Sequence, residues 1–353
     1  MKGNSTLVRA GPSAEMSSFF RPSAVTDQTQ LIQFLARVFS VGQGAPFLEP
    51  SLLRWKYWES RSDWPGPRSF VLERDGRLVA HAGIWPVTVQ SGGKLRAGVH
   101  MIDWASDPRM PGAGVALLQR LTRTYDFVYS IGGSAMTQSI LPKFGFRCIG
   151  DALTMARPIR PWRQMLRHQS RDLRLPLRLA RNIWWFRAPR RALDHGWAAV
   201  ESAGGVAQSG IVAQSGRGEP FFEYLRKCPS VRCLSFDVLN HGRRAGFFAL
   251  TIAGDQARVA GVWMEDPSPA NWRTALLLAQ ETALAHTVTS EIAARCLTES
   301  SAEGAAHAGF RLRARTPVFL FRKAGESEPL PLEFQFADND AVFLREESAG
   351  FLT

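Results

Sequence analysis

Between Leu31 and Phe39 the apolar residues Leu31, Ile32, Phe34, Leu35, Val38 and Phe39 recur at helical spacing. Asp27 precedes them where a capping residue would stand. The pattern predicts a helix with one buried face. A second helix follows Pro50 and carries the aromatic run LLRWKYWES (52–60). The segments 69–74, 77–90 and 95–106 then read as a meander of three strands. A helix over about 113–125, a short strand FVYSI (127–131), a short helix over about 135–143 and strands after Gly145 complete the unit. This order predicts an α+β, sandwich-like fold: a mostly antiparallel sheet flanked by helices, with one strand–helix–strand crossover.

The pattern then repeats. SFVLERDGRLVAHAGIWPVTV (69–89) is matched by LSFDVLNHGRRAGFFALTIAG (234–254), each a strand, a glycine turn and a strand. An aromatic helix precedes each, LLRWKYWES (52–60) and FFEYLRKC (221–228). GFRCIGDALTMAR (145–157) is matched by GFRLRARTPVFLFR (309–322). The turn glycines Gly76 and Gly242 lie 166 residues apart and the Gly-Phe pairs 164 apart, so a tandem repeat is expected. The expected division is a flexible N-terminus (1–18), a first unit (19–157), a basic connector (158–195), a second unit (196–323) and a tail (324–353). Within the tail, LEFQFADNDAVFL (332–344) alternates enough to add a strand.

Charge changes the picture only locally. The 353-residue chain has a formal net charge of +12. Residues 157–191 hold eleven Arg, no Lys and the one acid Asp172, so this stretch carries +10 of it. The globular parts are near neutral, and a broad nucleic-acid-binding face is not expected. Arg in this stretch alternates with Trp162, Leu166, Leu177, Trp184, Trp185 and others. That suits a segment bridging the two units, or a peripheral contact with an anionic membrane surface. Prolines 158, 161, 176 and 189 limit it to short helices. Hydrophobic residues at 45% exclude wholesale disorder, and the longest apolar runs are too short for a membrane-spanning helix. The N-terminal residues lack the apolar core of a signal peptide. Cys148, Cys228, Cys233 and Cys296 match neither a disulfide framework nor a zinc pattern, and no two histidines have metal-ligand spacing. A cytoplasmic protein without a metal is expected.

The most informative residues are IDWASDPRMPGAGVALLQRL (102–121). A strand ends near Ser106, and Arg109, Met110, Pro111, Gly112, Ala113 and Gly114 form a loop that opens a helix. A helix N-terminus offers unpaired N–H groups and a partial positive charge, which suit a phosphate or pyrophosphate. Gly112 and Gly114 let an anion approach the backbone, and Arg109 adds a charged donor.

The arrangement resembles the GNAT superfamily of acyl-CoA N-acyltransferases. In that family a Q/R-x-x-G-x-G/A loop between the fourth strand and third helix cradles the CoA pyrophosphate, and Arg109–Gly114 matches its four specified positions. The short strand at 127–131 and the segment IGGSAMTQSILPKFGFR (131–147) follow in the family's order. The resemblance covers residues 20–157. It implies two GNAT-like units, with acyl-CoA in a split between the fourth and fifth strands of the first. The CoA-contacting residues would be Trp104, Ala105, Arg109, Met110, Pro111, Gly112, Ala113, Gly114 and Val115. Backbone groups near Trp104 and Ala105 would hold the pantetheine arm and polarise the thioester carbonyl. The corresponding segment of the second unit, EDPSPANWRTALLLAQETALA (265–285), has no glycine, so that unit reads as a degenerate copy.

Amine acylation needs a neutral amine and a fate for the thiolate. Asp103, His100 and His81 on the central strands are candidate bases. Alternation would put Asp103 and Ala105 on one face and Ile102 and Trp104 on the other. The family often has a thiolate-protonating Tyr four residues before the "GF" glycine; here that position is Leu141, and Ser134 or water could substitute. Trp55, Trp58 and Trp85 could line an acceptor site or simply pack the core. The expected activity is therefore acyl transfer, from acetyl-CoA or another acyl-CoA, to a small-molecule amine such as an amino sugar. The alternatives are a FemAB-like peptidyl transferase using aminoacyl-tRNA, and a CoA-binding protein without catalysis.

Overall fold

The computed structural model describes residues 18–167, 175–187, 193–202, 218–323, 330, 332–343 and 353. The first half runs β1 (Ser18–Pro22), α1 (Gln28–Val38), α2 (Pro50–Leu53, continued by a wide turn, Arg54–Trp58), β2 (Ser69–Arg74), β3 (Arg77–Ser91), β4 (Lys94–Ser106), α3 (Ala113–Thr124), β5 (Phe127–Ile131), α4 (Ala135–Ile140) and β6 (Arg147–Pro158). Two helices follow, α5 (Pro161–Arg167) and α6 (Leu175–Arg187). The second half runs β7 (Trp197–Glu201), α7 (Glu219–Arg226), β8 (Arg232–Asn240), β9 (Arg243–Ala253), β10 (Gln256–Met264), α8 (Pro269–His286), β11 (Glu291–Cys296), α9 (Glu299–His307) and β12 (Arg311–Arg322). The two element orders correspond from β2 and β8 onward, as the paired sequence landmarks predict.

All twelve strands form one sheet, in the order β1-β2-β3-β4-β5-β12-β6-β11-β10-β9-β8-β7. The halves exchange their last strands. β12, from the second half, lies antiparallel to β5 of the first, and β6, from the first, lies antiparallel to β11 of the second. β6 and β12 also pair with each other at the centre. Each exchanged strand is preceded by a left-handed glycine, Gly145 (φ 84°) and Gly309 (φ 83°), where a side chain would be strained. The exchange was not legible from the repeat, because both the exchanged and the unexchanged pairings satisfy the same apolar alternation.

One face of the first half is covered by α3, whose Leu117, Leu118 and Leu121 are buried against Val79, Ala80, Ala82, Ile84, Val99 and Met101. Each such side chain contributes about 1.5–3 kcal/mol when taken out of water. On the other face the two aromatic helices meet. The Trp55 and Tyr224 rings stack 4.7 Å apart. Trp55 Nε1 donates to the Tyr224 carbonyl at 3.1 Å, and the Tyr224 hydroxyl donates back to the Trp55 carbonyl. Trp85, Phe221, Phe222, Phe336 and Phe343 complete this cluster. The chain at 332–343 adds no strand. It forms two short 3₁₀ turns, Phe336–Asp338 and Asp340–Val342, wedged between the halves. Its alternating apolar residues are explained by that wedge, since Phe334, Phe336, Val342 and Phe343 are all buried.

Candidate active site

β4 and β5 are parallel neighbours only over Gly98–His100 and Phe127–Tyr129. Gly98 is required there, because a Cβ would lie 1.9 Å from the Phe127 ring. Beyond this point the strands part. The Ile131 N–H donates to His100 Nε2 at 3.1 Å, so that ring nitrogen is unprotonated and the His100 side chain sits at the apex of the split. His100 also stacks on Tyr129 at 5.1 Å.

The parting is enforced by a bulge. His81 pairs with Ala105 but Gly83 with Ile102, so β4 carries one residue more than β3 here. Asp103 takes the left-handed conformation, φ 46°, which Asp tolerates better than most side chains. A hydrogen-bonded chain holds it. Trp58 Nε1 donates to Ser23 Oγ (3.0 Å), Ser23 donates to Ser69 Oγ (2.6 Å), Ser69 donates to His81 Nε2 (2.9 Å), and His81 Nδ1 donates to the Asp103 carbonyl (2.9 Å). Burial drives the His81 pKa down to about 4, so it is the neutral ring these bonds require. The bulge also changes the alternation. A Cβ at Gly83 would touch both Tyr57 and Ile102, so Ile102 lies on the Tyr57 side of the sheet. Lys56 and Tyr57 bond Asp103 from that same side. Trp104 packs on the opposite side with α3. Ile102 and Asp103 therefore share a face, because an inserted left-handed residue breaks the period of two that simple alternation assumes.

The Asp103 carboxylate accepts from Lys56 Nζ at 2.6 Å and from the Tyr57 hydroxyl at 2.5 Å, both on Oδ2. Burial alone would raise its pKa. The Lys56 charge and these two hydrogen bonds outweigh that and hold it below the ordinary value, while the Tyr57 phenol is pushed well up by burial and by the Asp103 charge. Lys56 itself is only 1% exposed. Lys56 and Tyr57 were not among the residues expected from sequence. The available signal was a lysine inside the apolar run LLRWKYW, where a surface helix would place it outward.

After β4 the chain turns onto α3. Asp107 accepts from the Arg109 backbone N–H (2.9 Å), Nε (3.0 Å) and Nη2 (2.8 Å), which drives its pKa down to about 2. Asp107 is a third residue missed in the sequence; it shapes the loop and folds Arg109 back while leaving the guanidinium largely in solvent. Gly112 is the N-cap of α3 at φ 86°, with nothing within 4 Å of where its Cβ would be. Gly114 has no such room: a Cβ would stand 3.1 Å from Ser106 Oγ and 3.3 Å from Trp104 Nε1, and Trp104 donates to the Gly114 carbonyl at 2.9 Å. Trp104, Ala105 and the 109–115 segment thus run continuously from the split to a helix N-terminus that opens on free space. A helix start of this kind presents unpaired N–H groups to an anion.

Of the remaining expected residues, Ser134 is the N-cap of α4, where its hydroxyl accepts from the Thr137 N–H. Leu141 is fully buried in the apolar core under α3. Trp55 and Trp85 belong to the aromatic cluster between the halves, and Trp58 bonds Ser23. Among the described residues no group of His, Cys, Asp and Glu could hold a metal ion.

The second half has a corresponding split. β10 runs parallel to β11 only over Gln256–Arg258, and its pairing with β9 also carries an extra residue at Ala260. Here the opening is taken by the chain's own tail. The Gln335 amide donates to the Val262 carbonyl (2.8 Å) and accepts from the Val262 N–H (2.5 Å). α8 begins at Ser268–Pro269 with no glycine before it.

No protein-family model matches the sequence, and a search of curated proteins finds no significant match. Solved structures are similar in fold. A GCN5-related N-acetyltransferase from Anabaena variabilis ATCC 29413 superposes with a TM-score of 0.55 at 11% identity, covering 86% of this chain and 72% of that one. A tandem GNAT protein from the clavulanic acid biosynthesis pathway gives 0.53 at 14% identity, over 88% and 100%. An N-myristoyltransferase from Saccharomyces cerevisiae gives 0.52 at 12% identity, over 91% and 86%. The chain has the GNAT fold, present twice in one continuous sheet.

Proposed function

We propose that the protein is an acyl-CoA N-acyltransferase whose first half binds the CoA thioester and whose second half walls the acceptor site. The observation that carries this reading is the continuity of the bulged β4, the split beside β5 and the glycine-bounded N-terminus of α3, all in one half of a GNAT fold. The pyrophosphate would lie on the α3 N-terminus beside Arg109–Val115. The pantetheine arm would follow Trp104 and Ala105 into the split. Asp103, kept ionised by Lys56 and Tyr57, would orient the amine, and His100 at the apex would keep the two strands apart. With Leu141 buried and the Ser134 hydroxyl occupied as a cap, the departing thiolate would take its proton from the attacking nitrogen or from water.

The acyl donor of this reading is acetyl-CoA and the acceptor a small-molecule amine, an amino sugar among the candidates. It places the enzyme in the cytoplasm. The test is thiol release from acetyl-CoA in the presence of a panel of amines and amino sugars. Amine-dependent release is expected. CoA binding with no release across the panel would favour a non-catalytic CoA-binding protein, the reading that Leu141 supports. A peripheral membrane contact is a separate part of the proposal. On α6, Leu177, Arg181 and Trp184 are exposed along one side, although no helix among the described residues is long and apolar enough to cross a membrane. Sedimentation with anionic liposomes, lost when Arg178 and Arg181 are neutralised, is the expected result.

A further inference from the structure

The tail segment 332–343 does more than fill the second split. It is fixed at both ends and in the middle. Phe334 packs on the Tyr129 ring at 4.8 Å, and Gln335 is bonded twice to Val262. Trp85 Nε1 donates to the Ala337 carbonyl at 2.7 Å, Arg258 to the Ala341 carbonyl, and Ser230 to the Phe343 carbonyl at 2.6 Å. The segment therefore has one defined path, and that path brings Asp340 into the first half's site.

Asp340 opens the turn Asp340–Val342. Its carboxyl lies within electrostatic range of Asp103 on β4, Lys56 beside α2 and Arg295 on β11, without a direct ion pair to any of them among the described residues, while Arg258 of β10 holds the next carbonyl. Phe343, at the end of the turn, lies 5.9 Å from Lys56 Nζ. The two carboxylates differ in how they are used. Asp103 Oδ2 already accepts two hydrogen bonds. Among the described residues no side chain donates a hydrogen bond to Asp340; the Ala341 backbone N–H bonds its carboxyl, and the residue is half-buried. With only a backbone donor, the Asp340 carboxylate keeps most of its acceptor capacity and, beside Asp103, suits a protonated primary amine that brings its own donors.

We propose that Asp340, delivered by the C-terminal segment, receives the acceptor's ammonium group and takes its proton. This rests on the acyltransferase reading. In the step proposed, R–NH₃⁺ gives one proton to the Asp340 carboxylate, leaving R–NH₂ and a neutral acid. The nitrogen lone pair then forms the C–N bond to the thioester carbonyl, the C–S bond breaks, and the nitrogen's surplus proton passes to the departing thiolate. The products are the amide, CoA thiol and one proton, which Asp340 returns to solvent. Burial and the Asp103 charge raise the Asp340 pKa to about 6, which matches a base that must load and unload near neutrality. The substrate class is then a cationic primary amine, not a neutral alcohol or an acidic acceptor.

The test uses n-butylammonium as the probe and n-butanol as its neutral counterpart, titrated into the full chain with and without CoA. Tryptophan fluorescence, from Trp55 and Trp85 beside the site, is the readout. Saturable quenching by n-butylammonium alone is expected at pH 7.5. Asp340→Asn should raise its half-saturation at least tenfold, and Asp340→Glu should keep it within about threefold. At pH 5 the unaltered chain should weaken toward the Asn variant. CoA binding by calorimetry should be the same in all three chains. Equal half-saturation in the chain and in Asp340→Asn would overturn the assignment. So would equal binding of n-butanol, or no saturable quenching at all. Absence of CoA binding in the unaltered chain would instead refute the acyltransferase reading, leaving the ammonium titration to judge Asp340 separately.

Discussion

Replacing Lys56 by methionine removes a charge from a site where water cannot substitute for it. Lys56 and Asp103 are 1% and 11% exposed and their charged atoms are 2.6 Å apart. At an effective dielectric of about 20, two unit charges at that distance attract by about 6 kcal/mol, much of which offsets their desolvation. Breaking such a pair by removing one partner costs about 3–5 kcal/mol, because the other charge is left buried. Methionine keeps the apolar contacts of the lysine stem, so the loss reports the charge. The pH dependence separates this from a packing effect. In the unaltered chain Asp103 titrates below its ordinary value of 3.8, so its contribution to stability is constant above pH 5 and is lost only in acid. Without Lys56 burial dominates, the Asp103 pKa rises above 3.8, and the folded state is penalised increasingly as pH rises. Urea unfolding followed by tryptophan fluorescence should show the Lys56→Met penalty growing between pH 5 and pH 8. Adding Asp103→Asn, which tolerates the left-handed backbone, should recover most of it. A penalty below about 1 kcal/mol at pH 8, or one equal at both pH values, would refute the argument.

Three further outcomes follow from the same geometry. Gly112→Ala has room for its methyl group but not the φ of 86°, so it should cost about 1–2 kcal/mol in stability. It should also weaken CoA at least tenfold by calorimetry, while leaving any binding of pantetheine unchanged. Asp340→Asn should stabilise the chain at pH 7 by about 2–3 kcal/mol, because a carboxyl with a folded pKa of about 6 loses stability as pH rises from 3.8 through 6. The gain should vanish below pH 4 in urea titrations. Gly98→Ala drives a methyl into the Phe127 ring and should abolish soluble expression, with partial rescue by Phe127→Leu.

Much of this was legible in the sequence for identifiable reasons. The order of elements followed from periodicity, and the internal repeat from glycines that both halves need at the same turns. The glycine loop that opens α3 was legible because Gly112 and Gly114 each answer a local demand, one of backbone angle and one of space. What was not legible is long-range. Lys56 and Tyr57 lie 46–47 residues from Asp103 in the chain, and only the fold brings them together. The β4 bulge leaves no mark in an alternating pattern. The exchange of β6 and β12 depends on which of two equivalent edges each strand finds. The tail's alternation resembled a strand because wedging between two halves also requires an apolar residue at every second or third position.

The central claim is that one CoA site exists, in the first half, on the N-terminus of α3. Calorimetric titration of CoA into the full chain tests it most directly. The account predicts a stoichiometry of one, abolished by Gly112→Glu, whose carboxylate would stand where the pyrophosphate belongs. No binding, a stoichiometry of two, or full binding by the Gly112→Glu chain would contradict it.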